Sequence, residues 1–172
     1  SPARALAGLD TSSVPPVLVR ALDNDHPLVA RTAAETLAGL NWTEETRTAV
    51  GVWISAHPDR WRVVAPLLRG LSRNDRPGRA LKTVTQWRTD RSPFAYAAAL
   101  PALAHVEQSE ADSLLAAATR HDDPRIAAAG VRALSARWSR VRPNQFSFYF
   151  DTFSAAVQRG DPALLYHGAS TL

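Results

Sequence analysis

Five prolines, each followed ten residues on by a leucine, constrain this chain more than any other feature. Pro27, Pro58, Pro93, Pro124 and Pro162 lead to Leu37, Leu68, Leu103, Leu134 and Leu172, and the prolines stand 31, 35, 31 and 38 residues apart. A unit of that length recurring along a chain marks a repeat array, in which each unit buries its apolar face only against its neighbours. Other columns align with the prolines. Six residues on are Ala33, Val64, Ala99, Gly130 and Gly168; seven on are Ala34, Ala65, Leu100, Val131 and Ala169. Two residues on are Val29, Arg60, Ala95, Ile126 and Leu164. With the leucine, these offsets trace one apolar stripe on a helix that starts at the proline, whose missing N–H has no partner to lose at a first helical position.

A second set of columns lies upstream. Leu18, Ala49, Val84, Leu115 and Phe153 stand nine residues before the prolines, and Ala21, Val52, Trp87, Ala118 and Ala156 stand six before. They describe the apolar face of a shorter first helix. Polar turn residues separate the two helices, among them Asp23-Asn24-Asp25-His26, Asp90-Arg91-Ser92 and His121-Asp122-Asp123. Asp or Ser just before proline suits an N-cap. Each unit therefore reads as helix, tight turn, helix, and the chain as all-α.

The run Leu18-Val19-Arg20-Ala21-Leu22-Asp23-Asn24-Asp25-His26-Pro27, continuing to Leu37, resembles the HEAT-repeat consensus, as do Leu115 to Leu134 and Phe153 to Leu172. The second and third units depart from it, with Arg60 and Arg88 where an apolar residue is expected. The resemblance implies an α-solenoid of about five helix-turn-helix repeats, roughly 16–40, 43–72, 77–105, 109–140 and 145–172, in a single domain. It also implies a scaffold that binds a protein or peptide on a face lined by the second helices. Some bacterial members of this style accompany a cyclophilin-like prolyl isomerase domain, so a larger multidomain parent is the expectation that analogy brings.

The ends fit such a parent. The chain has no methionine, Ser1 to about residue 12 reads as the remnant of a preceding repeat, and Leu172 is itself a repeat leucine; we expect a fragment of a longer protein. No apolar run approaches the ~20 residues of a membrane-spanning helix. With no cysteine, disulfides and cysteine-based metal sites are excluded. Pro66 and Pro101 each fall eight residues after a repeat proline, and an interior proline removes a hydrogen bond and bends its helix.

Charge is uneven. Nine basic residues between Arg60 and Arg91 face only Asp75 and Asp90, and nearly all are arginine, with Lys82 the only lysine. Arginine suits bidentate recognition of carboxylate or phosphate. The partner-binding residues expected are Arg31, Arg62 and Tyr166, each four after a repeat proline, with Arg125 and Arg132 on the fourth second helix. The alternative is a nucleic-acid-binding module using Arg60, Arg69, Arg73, Arg76, Arg79 and Lys82, with steep salt dependence. Trp87 stands in an apolar column and reads as core; Trp61 reads as packed. Phe146, Phe150 and Phe153 recur at helical spacing and are expected to pack inward.

Signs of catalysis are absent from the sequence. There is no His-Glu pair of the kind the di-iron hydroxylases of this repeat class use, no His-Glu-x-x-His, no glycine-rich phosphate loop and no Gly-x-Ser-x-Gly elbow. His121-Asp122-Asp123 reads as a capping turn in preference to a metal site. The expectation is a non-enzymatic module without cofactor or metal.

Overall fold

The computed structural model describes residues 14–74 and 77–138, together with 150–152, 154, 155 and 158. Among the described residues all regular structure is helical. The elements are α1 (Val14–Ala21), α2 (Pro27–Gly39), α3 (Glu44–Ala56), α4 (Trp61–Asn74), α5 (Pro77–Asp90), α6 (Pro93–Ala99), a 3₁₀ segment (Leu100–His105), α7 (Ser109–Thr119) and α8 (Pro124–Trp138).

Local chemistry sets the helix starts. Thr43 caps α3, its hydroxyl accepting from the Thr46 N–H at 3.2 Å, and Glu44 and Glu45 follow in the first turn, where the helix dipole favours them. Ser92 caps α6 by accepting from the Ala95 N–H. Asp123 precedes Pro124 and its carboxylate accepts from the Arg125 N–H at 2.9 Å, which opens α8. At α2 proline does the work without a side-chain cap; Asn24 instead accepts from the His26 N–H and shapes the turn.

The four described repeat leucines, Leu37, Leu68, Leu103 and Leu134, are all fully buried, as are Ala34, Val64, Ala99, Leu100 and Val131 from the six- and seven-residue columns. Burying a leucine stabilises by roughly 1.5–3 kcal/mol, so this stripe is the main apolar adhesive of the fold. Gly130 allows the closest approach. A Cβ there would stand 2.9 Å from the Ala118 Cβ and from the Thr119 backbone nitrogen, so α8 lies almost backbone to backbone on α7. Gly70 on α4 likewise leaves room for the Trp42 indole, which donates from Nε1 to the Leu37 carbonyl at 2.7 Å.

Some details differ from the sequence reading. The second unit's helix begins at Trp61, three residues after Pro58, because Pro58 and Asp59 form a turn and the Arg60 carbonyl takes the first helical bonds from Val63 and Val64. Val29 and Val52 are exposed although they sit in apolar columns; the residues that follow them, Ala30 and Trp53, are buried instead. The Pro101 unit does not bend and continue; its α-helix stops at Ala99 and tightens into the 3₁₀ segment. Pro66 lies inside an uninterrupted α4. Phe150 is 45% exposed where inward packing was expected. Leu172, Phe146 and Phe153 lie outside the described residues. Trp87 is buried and Trp61 packs in part against the core.

Each first helix packs on its own second helix in α1–α2, α3–α4 and α7–α8, and α5 packs on both α6 and the 3₁₀ segment. Second helices also pack on one another: α2 on α4, α4 on α6 and the 3₁₀ segment, and these on α8. α1 packs on α3. Polar links tie the helices and their connections together. Asn74 at the end of α4 donates to the Leu40 carbonyl at 2.9 Å and accepts from the Trp42 N–H at 3.0 Å. Arg137 on α8 pairs with Asp112 on α7 at 2.5 Å and also donates to the Val106 carbonyl, with both charged groups largely buried.

Candidate functional site

Most of the side chains four and eight residues after the repeat prolines line one groove, while Ala97 and Ala128 line an adjoining hollow. In the first unit these are Arg31 and Glu35, in the second Arg62 and Pro66, in the third Ala97 and Pro101, and in the fourth Ala128 and Arg132. Four and eight residues are about one and two helical turns, so each pair shares a side of its helix. Because α2, α4, α6 with the 3₁₀ segment, and α8 pack in succession, that side becomes continuous. It forms a groove of about 630 Å³. The floor is small and apolar, with Ala65, Pro66, Ala98, Pro101, Ala104 and Ala133. Arg31, Arg62, Arg69 and Arg132 supply positive charge, against the single carboxylate of Glu35; Trp61 and His105 complete the lining.

The four arginines are not equivalent. Arg31 donates from Nε to Glu35 at 2.9 Å, an exposed pair one turn apart. Arg62 lies over the face of Trp61, its guanidinium carbon 4.4 Å from the ring centre, so the plane is held while its donor edge stays open. Arg62, Arg69 and Arg132 form no ion pair with another described residue. With Arg31 paired to Glu35, these three leave the groove lining positively charged.

Arg125 stands beside this groove. It lines an adjoining hollow with Phe94, Ala97 and Arg132, and its guanidinium carbon is 4.0 Å from the Phe94 ring centre. It also grips Asp123 through both Nε (2.9 Å) and an NH2 contact of 2.6 Å. Those hydrogen bonds hold the Asp123 carboxyl down to about 2 and push the Arg125 guanidinium up. His121 accepts from the Asp123 N–H at 3.0 Å, so His121-Asp122-Asp123 acts as a capping turn. Tyr96, buried on α6, has its phenol raised by burial, with Arg88 acting in the opposite sense. Among the described residues no three His, Asp or Glu side chains cluster as metal ligands, and no helix is long and apolar enough to cross a membrane.

The structure thus brings together three of the partner-binding residues expected from sequence, Arg31, Arg62 and Arg132, and sets Arg125 next to them; Tyr166 lies outside the described residues. The basic residues between 60 and 91 scatter. Arg60 donates to the Leu22 carbonyl at 3.0 Å and the Asn24 carbonyl at 3.1 Å and leans on Trp53, closing the preceding inter-helix turn. Arg73 donates to the Ala38 carbonyl, and Arg79 to the Gly51 carbonyl and the Ser55 hydroxyl. Lys82 is exposed on α5, Arg69 joins the groove, and Arg76 lies outside the described residues. Pro66, Pro101 and Glu35 are groove residues that the sequence reading did not single out for binding; their offset of eight was the available signal.

No known protein family matches this chain, and neither a curated protein nor a solved structure matches it.

Proposed function

We propose that this chain is a non-enzymatic, HEAT-like repeat module that binds a protein or peptide partner in the groove formed by its second helices. The repeat reading draws support from helix pairs that follow the recurring prolines and from second helices that pack on one another in chain order. The fifth repeat, residues 145–172, falls largely outside the described residues. The observation that carries the functional reading is the convergence on one groove of Arg31 and Arg62, which share a repeat offset, with Arg132 of the fourth second helix. Repeat proteins commonly use such extended concave surfaces for binding. The nucleic-acid alternative is disfavoured because Arg60, Arg73 and Arg79 are turned toward main-chain carbonyls of neighbouring units and do not form a continuous phosphate-tracking stripe.

Reversing Arg31 and Arg62 together to glutamate tests the surface. Both side chains are exposed, so the fold is expected to survive. Selection of displayed peptides on the wild-type chain, then on the R31E/R62E variant, should return sequences that only the former retains. Recovery of the same sequences by both would refute the groove assignment.

A further inference from the structure

The two interior prolines do more than shape helices. Proline has no N–H, so Pro66 deprives the Arg62 carbonyl of its normal helical donor, and Pro101 does the same to the Ala97 carbonyl. At Ala97 the next candidate donor is also engaged elsewhere, since the Leu100 N–H goes to the Tyr96 carbonyl. A carbonyl lies on the same side of a helix as the residue four further on, because it points along the axis toward that residue's nitrogen. Pro66 and Pro101 both line the groove. The groove therefore combines arginine donors with two prolines, each beside a carbonyl whose usual i+4 helical donor is missing. A ligand that meets both must carry negative charge and N–H donors.

We infer that the groove takes an extended acidic peptide, with its carboxylates on the arginines and its main-chain N–H groups on the Arg62 and Ala97 carbonyls. This deepens, and rests on, the partner-binding reading above. Its dimensions follow from the packing. Crossing from α2 to α8 passes four successive second-helix positions, hence three interaxial steps of about 8–10 Å, or roughly 27 Å. An extended chain rising about 3.3 Å per residue covers that in about eight residues. Arg31 and Arg62 sit on adjacent second helices, so the acidic side chains that meet them stand about three residues apart; Arg132 is two helices beyond Arg62, about five or six residues further. A small, shallow floor of alanine and proline admits a backbone in close approach and offers no deep pocket for a large apolar anchor. Single-stranded nucleic acid also carries negative charge, but it binds through stacking on exposed aromatic platforms. The groove has one tryptophan, Trp61, and its face is already covered by Arg62.

The experiment is fluorescence anisotropy with a labelled peptide of about nine residues, glutamate at those spacings and glycine or alanine between, alongside its lysine counterpart and an oligothymidylate of matching length. The glutamate peptide is expected to bind and the lysine peptide not to. Replacing Arg62 and Arg132 by glutamate should weaken binding by roughly tenfold or more, as removal of complementary charge at an interface does. Pro66→Ala with Pro101→Ala restores both helical N–H donors and should weaken it several-fold, with helicity retained by circular dichroism. Unchanged affinity in the proline variant would overturn the main-chain part of the proposal, and stronger binding of the oligothymidylate would overturn the peptide assignment. If the displayed-peptide selection returns groove-dependent sequences that are not acidic, the ligand class is wrong while the groove reading stands. If no selected sequence depends on Arg31 and Arg62, both fail together.

Discussion

Removing the carboxylate of Asp112 should loosen the last hairpin of the described chain and leave the first intact. Asp112 receives Arg137 Nε at 2.5 Å, and the guanidinium is about nine-tenths withdrawn from solvent, so Asp112→Ala strands a positive charge between α7 and α8. Breaking a buried pair from one side costs about 3–5 kcal/mol. The lower part of that range applies, because Arg137 keeps its bond to the Val106 carbonyl and the 15% exposure of Asp112 admits some water. At about 3 kcal/mol, a chain of this length should melt roughly 6–12 °C lower. The pair joins α7 to α8, while α2 and α4 pack on each other and on other elements, so hydrogen exchange should accelerate in α7 and α8 while α2 and α4 stay protected. The double replacement Asp112→Leu with Arg137→Met removes both charges and should recover most of the loss. A melting shift of a degree or two for Asp112→Ala, or uniform acceleration of exchange along the chain, would refute the reasoning.

Three further outcomes are expected. Gly130→Ala should destabilise by about 1–3 kcal/mol in chemical denaturation, since its Cβ meets the Ala118 Cβ and the Thr119 backbone, which have no flexible end to move aside. Asn74→Ala removes the links to Trp42 and Leu40 and leaves the Trp42 N–H without its acceptor, so a loss of about 1–3 kcal/mol should follow, reported by tryptophan fluorescence during unfolding. The Asp123 carboxyl should titrate near 2 by NMR; its folded value lies below the unfolded one, so its contribution is fully present above the ordinary carboxylate range and disappears as pH falls through that range toward 2, and Arg125→Ala should return the midpoint toward the ordinary value.

The all-helical fold and its core were legible because they rest on volume. Leu37, Leu68, Leu103 and Leu134 are all buried, and a buried position admits few residue types. The groove was partly legible. Arg31 and Arg62 share an offset of four from a repeat proline and Arg132 belongs to the fourth second helix, so the sequence put all three on second helices; that they line one groove comes from the packing of those helices. What sequence did not carry was the destination of each remaining arginine. Arg60 and Arg88 both interrupt apolar columns, yet Arg60 turns back to cap the Leu22 and Asn24 carbonyls while Arg88 is exposed. Long side chains choose between solvent and distant carbonyls according to tertiary neighbours. The start of α4 at Trp61 escaped for a similar reason, since Pro58 fits a turn as well as a first helical position.

The most direct measurement follows arginine Nε–H resonances in the chain while the glutamate peptide is titrated in. The account predicts that Arg31, Arg62, Arg69 and Arg132 shift together and saturate at one concentration. Arg60, Arg73 and Arg79, already engaged with carbonyls of their own chain, should remain in place. Shifts confined to Arg60, Arg73 and Arg79, or spread evenly over every arginine, would contradict it.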